Sequence, residues 1–504
     1  FEWVPTSAPM DNTNSVSNDS YALLGFKAGG PVDQTWSWFL DARNLADKKY
    51  AATTNIGAGY GGNLDVYGDL TFYGCYLYGG DVNGDLSGAG SSNSGSAPNG
   101  GYLYAKGSVS GYYIETYGGD IYTTTYSPSS AGNGGGVYIE GNVSLSTDSG
   151  GYIDSSGGYS YNSDAHSGSG GYVYIYGGIS AYEIYSYGGS NDGSGNAGEG
   201  GYVYCSGPMS CNYLECNGGD ANQGNAGHSG YVQVDGDAYI RYADLYGGNC
   251  YSTYEGHYSG SGSSLEVDGS LSGNGNFYLD GGWRFGSTST PGGSSAHGGD
   301  LYVDGSACIG YLSSEGGYVY TSTINAPGGE GGSLYISGTL SAGDITLNGG
   351  SCDYNNAGNG GEIEVTGQVT ISDHESRGGY SNDPSYYNGF GGSAYLYGGA
   401  TMYSLDLRDG SGSAQAPTGN VYLRLAGSCN FRYLKMSNRS ECIIYNNDQT
   451  PTVLKIETMD GGKVTLNDSS NNPSDDISGL LTDHIFFSGN GSWYSITGSS
   501  IFGG

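Results

Sequence analysis

Residues 170–177 read GGYVYIYG, and close variants of this block recur through most of the chain. Other copies are GGNLDVYG at 61–68, GGYVYCSG at 200–207, GGDLYVDG at 298–305 and GGSLYISG at 331–338. Each copy joins a glycine pair to a short run in which inward apolar residues alternate with outward ones, and a further residue, usually Gly, closes the run. Period-two alternation of this kind is typical of a strand that buries one face.

Twelve such blocks align when the residue before each alternating run is numbered position zero. The zero positions are 62, 101, 135, 171, 201, 230, 263, 299, 332, 361, 392 and 419. Positions +2 and +4 are apolar throughout, and position +6 is Gly in every block except the last, where Leu425 stands. A second glycine pair follows near +18 in most blocks, and a Gly-, Ser- and Asn-rich loop of variable length completes each repeat.

The repeat predicts an all-β protein, namely a parallel β-solenoid (β-helix) of about twelve coils. Glycine at fixed offsets suits corners that need positive φ or close backbone approach. At ~4.8 Å per coil the rod would be roughly 55–60 Å long.

Three parts of the chain follow from the repeat: an N-terminal segment over 1–60, the solenoid over 61–427, and a C-terminal segment over 428–504. Solenoid ends expose strand edges, so we expect both flanking segments to cap the rod or to mediate assembly. Within the first segment, residues 31–50 are the best helix candidate. Runs such as TVLKIE at 452–457 predict additional β-structure near the C-terminus.

Composition narrows the class of protein. Of 504 residues, 99 are Gly and 51 are Tyr, and 49 acidic against 15 basic residues give a formal net charge of −34. So much Gly disfavours a helical bundle, and without a period of three it does not indicate collagen. So acidic a surface is a poor partner for nucleic acid, and no apolar run is long enough for a membrane-spanning helix. The composition favours an extracellular setting, secreted or at the cell surface.

Tyrosines dominate one outward column. Position +3 is Tyr in eight of the twelve blocks. In coils two to five these residues and their neighbours form a candidate interface or glycan-binding surface: Tyr102, Tyr104, Tyr138, Tyr172, Tyr174, Tyr202 and Tyr204. Three interpretations remain open, which are simple strand stabilisation by stacked rings, packing against another chain, and stacking on sugars.

A second outward column is acidic. Asp235, Asp268 and Asp304 occupy position +5 in consecutive coils, and Glu266 lies two residues from Asp268. Carboxylates stacked ~5 Å apart repel one another, and a bound Ca²⁺ would relieve the repulsion. The same spacing is near the ~5–5.5 Å of a retaining glycosidase pair. Solvated acids on a screened surface, a calcium site and a catalytic pair are therefore the three alternatives.

Cysteines and sequons give further candidates. Cys205, Cys211 and Cys216 fall at positions that are apolar in other coils, as buried thiols or with one disulfide among them. Cys429 and Cys442 are a candidate disulfide across adjacent C-terminal strands. Sequons for N-glycosylation occur at five positions: Asn18, Asn142, Asn438, Asn467 and Asn490.

Alternating blocks such as GGYVYIYGG at 170–178, repeated over 61–427, resemble those of secreted β-helix surface proteins and adhesins. The calcium-binding nonapeptide of toxin-type β-rolls is absent. The resemblance implies a passive, extended, extracellular scaffold, and it transfers no functional residue.

These observations favour a secreted structural protein, not an enzyme, that assembles with copies of itself into a fibre or surface layer. The first alternative is a carbohydrate-binding adhesin that uses the tyrosines, with glycans as partners. The second is a β-helix polysaccharide-degrading enzyme that uses the stacked acids. Apart from the candidate Ca²⁺, no cofactor is expected.

Overall fold

The computed structural model describes residues 61–437, apart from eight short gaps, and eight separate strands outside that range. The gaps are 83–95, 123–129, 148–149, 162–163, 253–255, 287–295, 322–325 and 416–420. Two long parallel sheets run along a common axis, and each repeat adds strands to both. The all-β parallel solenoid predicted from the sequence is confirmed.

Sheet 1 contains fifteen parallel strands, and each of the twelve repeats supplies one of them. Its strands are Asn63–Val66, Tyr102–Ala105, Gly136–Ile139, Tyr172–Ile175, Tyr202–Cys205, Tyr231–Val234, Leu265–Val267, Leu301–Val303, Ser333–Ile336, Glu362–Val365, Ser393–Leu396, Tyr422–Leu425, Glu441–Tyr445, Lys463–Asn467 and Trp493–Tyr494. The register is regular: Val137 pairs with Leu103 on one side and with Val173 on the other.

Sheet 2 contains eighteen strands, because some coils contribute two short strands and others one longer strand. Its strands are Leu70–Thr71, Gly74–Tyr76, Val109–Gly111, Tyr113–Glu115, Val143–Leu145, Tyr152–Asp154, Ile179–Ser180, Glu183–Tyr185, Met209–Glu215, Ala238–Asp244, Leu271–Ser272, Asn276–Tyr278, Ala307–Ser313, Leu340–Thr346, Val369–Glu375, Ala400–Leu407, Cys429–Met436 and Leu454–Asp460. A short third ladder pairs Arg284–Gly286 with Val319–Thr321.

The helix predicted over residues 31–50 is wrong for the part of that segment that the structure describes. Ser37–Ala42 is a strand, and it pairs antiparallel with Phe26–Pro31. Glu2–Val4 and Tyr21–Leu23 form a second antiparallel pair. The sequence SWFLDA contains two aromatic residues, and aromatic residues favour strands. The apolar spacing that suggested a helical face is also compatible with this strand. The additional β-structure expected near the C-terminus is confirmed by Leu454–Asp460 and Trp493–Tyr494.

The register of the twelfth block differs by two residues from the sequence alignment. Ala394 pairs with Leu423, so position zero is residue 421 and not 419. Because strand alternation has a period of two, either choice places apolar side chains inward. The corrected register puts Gly427, with φ of 74°, at position +6. Position +6 is therefore Gly in all twelve blocks.

The core is a narrow column of stacked aliphatic side chains between the sheets. Leu103, Val137, Val173 and Val203 follow one another at position +2 and are fully buried. In coil five the three interior cysteines, Cys205, Cys211 and Cys216, are buried free thiols rather than disulfide partners. Burial raises the pKa of the Cys211 thiol to about 12, so this thiol stays protonated at neutral pH.

Polar side chains at the corners tie each coil to the next. At one corner, Asn142 Oδ1 accepts a hydrogen bond of 2.8 Å from the backbone N–H of Gly178. At a second corner, Asn99 Oδ1 accepts from the N–H of Asn133, and Asn133 Oδ1 accepts from that of Ser169, each at 2.9 Å. Such bonds satisfy backbone donors where the strands are interrupted, and they fix the register of neighbouring coils.

His374 is the one fully buried imidazole among the described residues, and it pairs in register with Ile345 and Leu405. Burial lowers its pKa from 6.5 to about 4. The unfolded chain therefore takes up a proton in a range where the folded chain does not. Consequently, the free energy of unfolding falls as pH falls from about 6.5 to 4, by up to about 3 kcal/mol.

We predict that His374→Leu removes this component of the acid sensitivity. Urea unfolding of both proteins between pH 7 and pH 4 would measure it, and the wild-type protein should lose more stability than the variant. Equal losses in the two proteins would show that His374 does not titrate in this way.

Candidate functional site

The seven tyrosines expected to form one surface do so on the outer face of sheet 1. Ring centroids of Tyr104 and Tyr138 are 5.5 Å apart, and those of Tyr174 and Tyr202 are 5.1 Å apart. Tyr102 joins through Tyr172, at 6.2 Å. Further ring contacts connect all seven with three additional tyrosines into one set, the tyrosine patch: Tyr67, Tyr102, Tyr104, Tyr138, Tyr172, Tyr174, Tyr176, Tyr202, Tyr204 and Tyr231.

Carboxylates border the tyrosine patch and accept hydrogen bonds from its hydroxyls. Tyr104 Oη donates to Glu140 Oε1 at 2.7 Å, and Tyr204 Oη donates to Asp235 Oδ2 at 2.6 Å. These bonds raise the pKa of both phenols to about 12. The patch is thus a surface of aromatic rings with polar groups at its edges. Many protein–protein and protein–sugar contacts use surfaces of this kind.

The acidic column at position +5 is also present, since Val234, Val267 and Val303 pair in register just before Asp235, Asp268 and Asp304. The pKa of Asp268 is raised, first by partial desolvation and then by the charges of Asp235, Asp304 and Glu266. Hydrogen bonds already engage Asp235, from Tyr204 and from Gln233 Nε2 at 3.1 Å. Among the described residues, no group of three or more His, Cys, Asp or Glu side chains is arranged to hold a metal ion. The calcium site stays a prediction.

Sequence reasoning missed a second face, on the outside of sheet 2. Strand register places Glu115, Asp154, Tyr185, Glu215 and Asp244 in one continuous column. Acidic residues at position +14 of several blocks could have indicated this column. A five-residue insertion between Leu145 and Tyr152 moves Asp154 out of that alignment and hides the continuity. We call this surface, in coils two to eight, the carboxylate face. Its acids on the strands are Glu115, Asp154, Glu183, Glu215 and Asp244. Asp280 and Glu315, each two residues beyond a strand end, lie close enough for their charges to act on this group.

Tyrosines on the carboxylate face surround and partly desolvate its acids. Tyr152 Oη donates to Glu115, and Tyr213 Oη donates to Asp244. Glu215 accepts a bond of 2.9 Å from Asn217 Nδ2. Burial, followed by the charge of Asp244, raises the pKa of Glu215 from 4.5 to about 7, and Asp154 adds a smaller contribution. Half-buried like charges in adjacent coils therefore remain poorly compensated within the chain.

Near the C-terminal end of the same column, Glu375, Asp406 and Lys435 pair in register. Cationic side chains compensate the acids here, and Arg377 Nη2 lies 3.0 Å from Glu375 Oε1. Asp406 is fully buried, and it accepts from Arg377 Nε at 2.8 Å and from Arg408 Nη2 at 2.7 Å. Burial alone would raise the pKa of Asp406, but the bonds from Arg408 and Arg377 outweigh it and hold the pKa below its usual range. Lys435 Nζ lies 3.8 Å from the same carboxylate.

The other predicted site residues are the two C-terminal cysteines and the asparagines of the five sequons. The structure does not form the Cys429–Cys442 disulfide: Cys429 is a buried free thiol on sheet 2, whereas Cys442 pairs with Leu423 on sheet 1. Asn142 is exposed, as a glycosylation site requires, and Asn467 ends a strand of sheet 1. Asn18, Asn438 and Asn490 lie outside the described residues. Glycosylation at these five positions stays a prediction.

No protein-family model, no curated protein and no solved structure matches this chain. In the part of the chain that the structure describes, no helix has the length and apolar character needed to cross a membrane.

We predict that Glu215→Gln makes the protein more stable at pH 8. Since the pKa of Glu215 is higher in the folded state, its contribution to stability is present below pH 4.5 and is lost as pH rises to about 7. The loss amounts to about 2–3 kcal/mol, and the amide avoids it. Urea unfolding at pH 4.5 and pH 8 would measure the difference.

Glu183→Gln, one coil away on the same face, is the matched control for removal of an acid. For each variant, the quantity to compare is the stability difference from the wild type at pH 8 minus that at pH 4.5. If this quantity is the same for both variants, the effect is due to net charge and not to the environment of Glu215.

Proposed function

We propose that this protein is an extracellular structural protein whose copies associate end to end into a fibre or surface layer. The observation that carries the proposal is the open edge of the first coil. Leu64, Val66 and Leu70 point inward but are only half-buried, whereas their counterparts in the second coil, Leu103, Ala105 and Val109, are at most 1% exposed. The apolar core thus extends into the first coil, where it is less completely covered by the described residues.

Backbone groups at this edge are arranged to accept a further strand. Asn63–Val66 is the terminal strand of sheet 1, and no described strand pairs with it on its outer side. The carbonyls of Gly62 and Val66 accept from the N–H groups of Tyr102 and Lys106. Because parallel strands alternate their bonding direction, the backbone groups of Asn63 and Asp65 face the open edge. A strand from another molecule would satisfy them.

An end-to-end contact of this kind joins different surfaces on the two molecules. Such heterologous contacts propagate and give filaments when they do not close into a ring. The stacking inside one rod would then continue from one molecule to the next. The acidic, tyrosine-rich composition supports an extracellular location.

We predict that Asp65→Pro prevents fibre formation and leaves the rod folded. Proline removes the N–H that faces the open edge, and it breaks no bond to the second coil. Negative-stain electron microscopy of concentrated protein should show fibres for the wild type and single rods for the variant. Asp65→Asn, which retains the N–H, is the control and should form fibres. Single rods in the wild-type sample would contradict the proposed function.

The second candidate function is carbohydrate binding by the tyrosine patch. It is favoured by the ten connected rings and by the hydrogen bonds between their hydroxyls and the carboxylates at the edge of the patch.

For a glycan that binds in an array, we predict that Tyr174→Ala weakens binding by on the order of tenfold, because Tyr174 contacts three other rings of the patch. Tyr335→Ala, in a stacked pair with Tyr302 outside the patch, is the control. An array without hits would dismiss this candidate.

A further inference from the structure

The two most exposed aromatic side chains among the described residues lie in the first coil. Tyr67 is 71% exposed and Tyr73 is 68% exposed. Tyr67 follows the sheet 1 strand Asn63–Val66, and Tyr73 lies between the two sheet 2 strands of the same coil. The next most exposed tyrosine, Tyr76 at 53%, belongs to this coil as well. The first coil therefore presents phenol rings to solvent more fully than any other described part of the rod.

Tyr67 is the terminal ring of the tyrosine patch. Its centroid lies 6.1 Å from that of Tyr104, and the centroid of Tyr104 lies 5.5 Å from that of Tyr138. From Tyr138 the ring contacts continue to Tyr231 in coil six, and no step along this path exceeds 6.1 Å. The described contacts thus join the rest of the patch to Tyr67 through Tyr104.

A second row of rings ends at Tyr73. It has one tyrosine in each of the first five coils, and we call it the sheet 2 row: Tyr73, Tyr113, Tyr152, Tyr185 and Tyr213. Successive centroids are 5.7, 4.9, 6.4 and 5.9 Å apart. Tyr113 is the step between Tyr73 and the remainder of the row. Each of the two sheets therefore carries a continuous path of phenol rings to the first coil.

Carboxylates accept hydrogen bonds from two phenols of the tyrosine patch and from two of the sheet 2 row, for example from Tyr104 to Glu140 and from Tyr152 to Glu115. Removal of one electron makes a phenol strongly acidic, so its proton passes to an acceptor within hydrogen-bond reach. The proton returns when a neighbouring tyrosine reduces the phenoxyl radical again. Because all the rings are the same chemical group, this exchange is close to thermoneutral, and an oxidising equivalent is not held at one ring.

We propose that the tyrosine patch and the sheet 2 row carry oxidising equivalents to Tyr67 and Tyr73, where dityrosine bonds form with a second copy of the chain. The co-reactant is a one-electron oxidant of phenols, such as a haem peroxidase supplied with hydrogen peroxide.

The coupling balances in atoms and electrons. Each of two phenols loses one electron and its hydroxyl proton. The two radicals form a carbon–carbon bond between ring carbons ortho to the oxygens, and the hydrogen on each of those carbons moves to the phenolic oxygen. Hydrogen peroxide takes up the two electrons and the two protons and gives two molecules of water.

Coupling is irreversible, and it requires that rings of two molecules meet edge to edge. Rings inside either path have ring neighbours in the coils before and after them, whereas the described ring contacts of Tyr67 and Tyr73 lie only toward coil two. A radical that moves along the path therefore couples at these two positions, where another molecule can reach it. This inference goes beyond the proposed function, because it adds covalent chemistry on the outward side of the first coil and does not require an end-to-end contact.

The positions of the cross-links test the proposal. All test proteins carry Cys308→Ser, which removes the one exposed thiol among the described cysteines and prevents its oxidation to a disulfide. After brief treatment with a haem peroxidase and hydrogen peroxide, peptide mass spectrometry measures dityrosine at each position. Exposure alone, 71% for Tyr67 against 48% for Tyr176, predicts a ratio of yields below two. We expect Tyr67 to exceed Tyr176 at least fivefold, and Tyr73 to behave in the same way.

Interruption of both paths separates transfer along the rings from direct oxidation. The variant Y104F/Y113F retains Tyr67 and Tyr73, but phenylalanine lacks the phenol that is oxidised. The ratio of Tyr67 to Tyr176 should then fall below two. Y302F/Y335F removes the phenols of a stacked pair outside both paths and is the matched control, which should leave the ratio unchanged.

Removal of the two terminal phenols tests where the molecules are joined. Y67F/Y73F should reduce the yield of covalent dimer, measured by denaturing electrophoresis under reducing conditions, at least threefold. Y380F/Y387F removes two tyrosines that are 41% and 42% exposed and that belong to neither path, and it should leave the yield unchanged. Circular dichroism checks that each variant is folded.

Three results would overturn the inference: a ratio of Tyr67 to Tyr176 below two in the intact paths, a ratio that Y104F/Y113F does not change, or an unchanged dimer yield in Y67F/Y73F. Electron microscopy before the oxidant is added tests the proposed function separately. Fibres without dityrosine at Tyr67 and Tyr73 would leave that function standing and refute the inference. Dityrosine at these positions in a sample of single rods would refute the fibre and support the inference.

Discussion

The structure depends on the in-register stacking of backbone on backbone, coil after coil. At one corner this stacking leaves no room for a side chain. A Cβ atom at Gly168 would lie 1.8 Å from the carbonyl oxygen of Gly132, and one at Gly198 would lie equally close to that of Gly168. None of these three glycines has positive φ, so close approach and not backbone strain requires them. The abundance of Gly is a direct consequence of this packing.

The same constraint determines the surface. Since each coil must lie directly on its predecessor, residues at one position form columns whether or not their chemistry is compatible. Stacked tyrosines gain from this arrangement, as the Tyr302–Tyr335 pair with centroids 4.9 Å apart illustrates. Stacked carboxylates do not gain: the pKa of Glu215 is raised first by burial and then by the charge of Asp244 in the next coil. Hydroxyl donors such as Tyr204, or cations such as those around Asp406, offset this effect locally.

Strand alternation and glycine spacing were sufficient to predict the solenoid, its twelve repeats and the tyrosine patch, because they are local patterns repeated many times. Features that occur only once in the chain were harder to predict from the sequence. Period-two alternation could not distinguish residue 419 from 421 as the start of the twelfth block, and only the ladder between Ala394 and Leu423 resolves it. The insertion before Tyr152 hid the carboxylate face. The ion pairs of Asp406 join three successive coils, and no single repeat contains that information.

Open strand edges usually invite indiscriminate pairing, and a rod made of parallel strands has two of them. A net charge of −34 opposes such contacts, because rods that approach in most orientations repel each other. The repulsion is weakest at the C-terminal coils, because residues 377–467 contain seven acidic and eight basic residues. The distribution of charge, more than the exposed apolar area, would therefore select the arrangement of molecules in an assembly. On this surface, tyrosine rings and acids share the same columns. The order of residues within each column therefore determines where two molecules can approach each other.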